Sequence, residues 1–147
     1  MTSTGHGPSP SVWHACGLKL ASAEVPDTAP SATEAIRMVA GFDVEPTLTV
    51  DAATPDALKQ LDLQWHEKAW PLLTAPGSGA FLILPPGSGG VAIGWVPVKD
   101  IAPPGLPSRI AVVTGTADFV ALSADGTHLC AVTEEEYEYW IIVRSLG

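Results

Sequence analysis

Three observations predict an α+β fold, with helices leading into an antiparallel sheet. Two segments in the first half carry helix start and stop signals, and beyond Leu73 the chain runs at a two-residue period. Gly and Pro, at 14 each, divide it into many short elements joined by turns. The expected architecture is two short N-terminal helices packed on an antiparallel β-meander. Residues 1–11, rich in Ser, Thr, Gly and Pro, read as a flexible arm. Residues 12–147 read as one domain, because 147 residues at 46% hydrophobic content suffice for one core.

In chain order, 12–20 reads as a short strand and 21–30 as a linker punctuated by Pro26 and Pro30. Ser31-Ala-Thr-Glu34 has capping-box spacing, Ile36 and Val39 follow on one face, and Gly41 suits the stop. Residues 44–50 alternate as a strand, with Pro46 marking an edge or a start. Thr54 suits a cap and Pro55 the first helical position. Leu58, Leu61 and Trp65 then form a helical stripe, and Pro71 ends that helix near Ala69 or Trp70. Residues 80–84 and 91–98 are apolar strands joined by Pro85-Pro-Gly-Ser-Gly-Gly90. Residues 109–114 and 118–122 read as short strands. Asp125-Gly126 supplies left-handed turn positions, 127–132 returns, and 134–143 supplies the last strand.

Charge narrows the function classes. Sixteen acids against seven Lys and Arg leave a net charge of −9, and no basic stripe exists to hold phosphates. Nucleic acid is therefore not an expected partner, an anionic membrane surface is disfavoured, and a basic or mixed protein surface is favoured. Charged residues are only 16% of the chain, a composition that goes with exposed apolar patches and partners. No leader or apolar run of membrane-spanning length is visible, so a cytoplasmic protein with reduced Cys16 and Cys130 is expected. The lack of Asn beside abundant Ala, Gly, Pro and Val suggests a GC-rich bacterial genome.

The most unusual segment is Glu134-Glu-Glu-Tyr-Glu-Tyr-Trp-Ile-Ile-Val143. Strand alternation puts Tyr137, Tyr139 and Ile141 on one face and Glu136, Glu138, Trp140 and Ile142 on the other. The plain reading is a solvated strand whose charges discourage edge pairing. The sharper one is a recognition strip of Glu135, Glu136, Glu138 and Trp140, joined by Trp95, since aromatic residues dominate interface energetics. Paired catalytic carboxylates are the least favoured, because spacing does not establish their separation.

Other motifs are weaker. His14-Ala-Cys16 and His128-Leu-Cys130 would offer two nitrogens and two sulfurs if both pairs lay on strands. Their spacing departs from that of zinc sites, so coincidence is expected and no metal is assigned. A thiolate nucleophile would need an orienting third group that the sequence does not reveal. Pro76-Gly-Ser-Gly79 and Pro86-Gly-Ser-Gly89 lack the lysine and the following helix of a phosphate loop, and read as turns. No cofactor is implied.

Asp118-Phe-Val-Ala-Leu-Ser-Ala-Asp-Gly126, with Glu135-Glu-Tyr-Glu-Tyr-Trp-Ile141, resembles the end of small bacterial proteins of the SUKH immunity superfamily. That resemblance implies an α+β domain that binds and neutralises a toxin partner. The first half lacks the superfamily's leucine-proline entry and glycine pair, so no residue role is carried over. The resulting expectation is a non-enzymatic, immunity-type or accessory protein-binding module. The alternative is a small enzyme or ligand carrier, its Trp-lined pocket between the sheet and the 54–70 helix.

Overall fold

The computed structural model describes residues 10–22, 24–40, 43–76, 78–84 and 94–146. In chain order the elements are α1 (Pro10–Ala15), β1 (Leu18–Leu20), α2 (Ala32–Ala40), β2 (Leu48–Asp51), α3 (Ala57–Lys68) and α4 (Trp70–Thr74). They continue as β3 (Ala80–Ile83), β4 (Val96–Asp100), α5 (Leu106–Thr114), β5 (Phe119–Ser123), β6 (His128–Glu134) and β7 (Glu138–Ser145). The fold is α+β, with five helices among the described residues rather than two. The seven strands among the described residues pair antiparallel in one sheet of order β1-β4-β3-β5-β6-β7-β2. Only β5-β6-β7 is a simple meander; β1 and β2 return from the first half of the chain to form the two edges.

Helix α2 opens as its sequence dictates. Ser31 Oγ accepts the Glu34 N–H at 3.1 Å, and Glu34 accepts the Ser31 N–H at 3.0 Å. Helix α3 starts later than expected: Thr54 acts through its backbone carbonyl, accepting the Ala57 N–H, and Pro55 lies before the helix. The break before Pro71 is real, and Pro71 then occupies the first turn of α4.

Two segments expected as strands are helical. Residues 10–15 form α1, and only Leu18–Leu20 of the 12–20 strand is extended. Residues 109–114 belong to α5, although Ile110, Val112 and Val113 are β-branched. Helix spacing brings Leu106 and Ile110 into the core together, and Gly105 (φ 118°) and Gly115 (φ 90°) bound the helix with left-handed conformations. Asp62 of α3 completes its start, accepting the Ser108 N–H at 2.9 Å and the Ser108 hydroxyl at 2.6 Å. That cap comes from 46 residues away, so local patterning does not reveal it.

The helices cover both sheet faces. Trp13, Leu61, Trp65, Leu73, Leu106 and Ile110 bury one face with Phe81, Phe119, Cys130 and Ile141. Ala35 and Val39 of α2 bury the other with Leu82, Leu122, Leu129, Ala131 and Ile142. Two-sided burial explains the near-continuous apolar runs of β3, β5 and β6. Arg109 joins three elements. It pairs with Asp100 at 2.8 Å and donates to the Cys16 carbonyl at 2.6 Å, tying α5 to β4 and to the α1–β1 turn. Gly17 permits that approach, since a Cβ there would overlap the guanidinium.

The segment 134–143 is not one strand. Residue 134 ends β6, 138 begins β7, and 135–137 turn between them, closed by the Glu135 N–H to the Glu138 carbonyl at 2.8 Å. Strand β7 is also not an edge, since it lies between β6 and β2. Edge protection therefore does not explain its carboxylates. In the β5–β6 turn only Gly126 has positive φ, at 78°. Residues 1–9, the Gly41 stop, the 85–90 connection, Ser88, the 86–89 turn and 91–93 of the expected strand lie outside the described residues.

Candidate functional site

One end of the sheet is built from carboxylates. The β6–β7 hairpin brings Glu134, Glu135, Glu136 and Glu138 round one turn, and the register sets Asp51 of β2 directly across from Glu138. Asp118, just before β5, joins the group by accepting the Glu134 N–H. Like charges paired across strands are unfavourable, so these groups need other partners. Glu134 accepts the Ala117 N–H at 3.2 Å, Asp51 accepts the Ala53 N–H at 2.9 Å, and Glu138 accepts the Trp140 indole N–H at 2.8 Å. Glu135 and Glu136 are exposed at the tip. Among the described residues the ion pairs are Lys68–Glu67 and Arg109–Asp100, so no cation neutralises this end. The negative field reaches Tyr139, whose phenol is pushed up by burial first and by the Glu134 charge second.

Tyr137 stands at the centre of the turn and is 75% exposed. Sequence alternation puts it on one strand face with Tyr139 and Ile141, but the strand starts only at Glu138. Its carbonyl accepts the Ala52 N–H at 3.0 Å, which ties the hairpin to the end of β2. A signal for the turn was present. The apolar runs 128–132 and 139–143 are antiparallel neighbours, and the charged residues between them are where the chain must reverse.

The expected site residues divide. Glu135 and Glu136 lie at the exposed tip, while Glu138 and Trp140 are half-buried and bonded to each other. Trp95 is half-buried just before β4, with its indole donating to the Pro30 carbonyl at 2.8 Å. Three strands separate β4 from β7, roughly 19 Å at the usual interstrand spacing, so Trp95 is apart from the hairpin. Neither indole is well exposed. The exposed aromatic at this end is Tyr137.

Several other polar groups are committed to structure. Ser123 Oγ donates to Asp125 at 2.7 Å and accepts the N–H groups of Thr127 and His128, which locks the β5–β6 turn. The Ser123 bond, then the Thr127 bond, holds the Asp125 carboxyl below its ordinary range. Cys130 is enclosed, and burial pushes its thiol up to about 12. Burial also raises Cys16, with Arg109 opposing weakly. His14 and Cys16 lie on α1 and its following turn, not on a strand, with His14 exposed and Cys16 buried. The geometry that would have projected both pairs from strands is therefore absent. No family model, curated protein or solved structure matches the chain.

Between the sheet and α3 the space is occupied by Leu61, Trp65, Phe81 and Phe119, with Trp65 edge-on to Phe119 at 4.7 Å. A cavity of about 10 Å³ lies farther along, lined by Trp13, Cys16, Ile110 and Phe119 among others. It has room for about one water.

Proposed function

We propose that this chain is a non-enzymatic protein-binding module, of immunity or accessory type, that engages a basic protein partner through its acidic hairpin. The observation carrying this reading is Tyr137, 75% exposed between Glu136 and Glu138, at a sheet end with no paired cation. An exposed aromatic ring supplies contact area with few rotamers to freeze, and the surrounding carboxylates steer and orient a cationic surface. Glu135 and Glu136 are the steering charges. Glu138 and Trp140 hold the turn in shape, and Trp95 contributes nothing to this contact.

The test uses proteins encoded beside its gene as candidate partners. A stable complex with one of them should weaken about a hundredfold when Glu135→Lys, Glu136→Lys and Tyr137→Ala are combined, with a smaller salt dependence left behind. Unchanged affinity in that triple variant, with its unfolding curve intact, would remove the hairpin from the interface.

A further inference from the structure

Strand β2 closes the sheet at the hairpin's end, and no strand pairs with its outer side among the described residues. Antiparallel pairing turns alternate residues toward the neighbour. The Ala52 N–H bonds inward to Tyr137, so the backbone groups of Thr49 and Asp51 point outward. The Asp51 carbonyl accepts the Thr54 N–H at 3.1 Å, which leaves the Thr49 N–H and carbonyl and the Asp51 N–H to a neighbour. Both residues are exposed, while Val50 between them is buried on the sheet face. An open edge of this kind is a template for another strand.

The charge around that edge selects what adds to it. Asp43, Glu45, Asp51 and Asp56 are all exposed, and residues 43–58 contain no Lys or Arg. Glu138 across the register and the hairpin tip extend the same negative surface. A second copy of this edge would set Asp51 against carboxylates of its own kind and is disfavoured. An extended segment carrying Lys or Arg gains charge complementarity at the same positions. We propose that the outer edge of β2 accepts a basic, extended segment of the partner protein as an eighth strand. This inference rests on the acidic hairpin being the docking surface, and it specifies how the partner is held: main-chain bonds to Thr49 and to the Asp51 N–H, with cationic side chains toward Asp51 and the hairpin.

The experiment titrates the full chain with two synthetic peptides of about eight residues and equal charge. One alternates lysine with valine or threonine, and the other is a helix-forming lysine–alanine sequence. The strand peptide should slow amide exchange at Thr49 and Asp51 about tenfold or more. N-methylation of its edge-facing residues should weaken binding about tenfold, and methylation in the opposite phase should not. Asp51→Asn, which keeps the acceptor for the Ala53 N–H, should weaken the strand peptide without changing the fold. Equal binding of the helical peptide, with Thr49 and Asp51 unprotected, overturns strand addition and leaves the acidic docking surface standing. Failure of both peptides to bind overturns both. Concentration-dependent protection of Thr49 and Asp51 in the chain alone would assign the edge to a second copy and overturn the proposal.

Discussion

Arg109 shows how much one residue can organise. Its partner Asp100 has a side chain 1% exposed, while the Arg109 side chain is 21% exposed. Removing one member of such a pair leaves the other's charge without compensation. Asp100→Ala should therefore cost about 2 kcal/mol, below the range for fully buried pairs because the arginine keeps some water. Urea unfolding should show a lower midpoint with an unchanged slope. Gly17→Ala should act at the same joint, since its φ of 76° and the guanidinium beside it both resist a side chain. Cys130 makes a second case. Burial pushes its folded thiol up to about 12, against about 8.5 for an unfolded cysteine. The folded state then holds the proton more tightly, so this contribution is fully present below about pH 8.5 and is lost as pH rises toward 12. Replacing Cys130 by Ala should flatten the alkaline limb of a stability–pH curve, and the native thiol should resist a soluble disulfide reagent.

Helix α5 is where local pattern and tertiary context conflict. Arg109-Ile-Ala-Val-Val-Thr114 favours a strand by composition, yet Asp62 and the two bounding glycines make it helical. Asp62→Ala should remove the cap and cost about 1 kcal/mol, with the loss of amide protection concentrated at the start of α5. Asp62→Asn, which can still accept the Ser108 N–H, should recover most of it. The same contrast explains what the sequence revealed. The Ser31–Glu34 capping box, the stop before Pro71 and the 123–126 turn were legible, because each depends on residues a few positions apart. The helical state of 10–15 and 109–114 was not, because it depends on contacts such as Asp62–Ser108 and Arg109–Cys16 across the chain. The acidic run was visible as an anomaly. Its shape was legible only in part: charged residues between two apolar runs mark a reversal, but the run's own alternation through Tyr137 conceals where β6 and β7 break.

At the scale of the molecule, the two kinds of surface have separate places. The cores on both sheet faces are closed over, with Trp13 and Trp65 buried and Trp70, Trp95 and Trp140 half-buried. No described helix is long and apolar enough to cross a membrane. The net charge of −9 is concentrated at the hairpin and the neighbouring β2 edge, where no ion pair offsets it. Association with a basic partner should therefore slow steeply between low and physiological salt, as electrostatically steered encounters do. Stopped-flow association rates at two ionic strengths would measure this. Apolar exposure lies elsewhere, most of all at Val112 of α5, 83% exposed. That separation gives the docking claim its most direct test: amide exchange mapped residue by residue on the complex with a gene-neighbour protein. Protection is predicted at 135–137 and at Thr49 and Asp51, with α5 unchanged. Protection gathered on α5 around Val112 and Val113, with the hairpin exchanging as in the free protein, would contradict it.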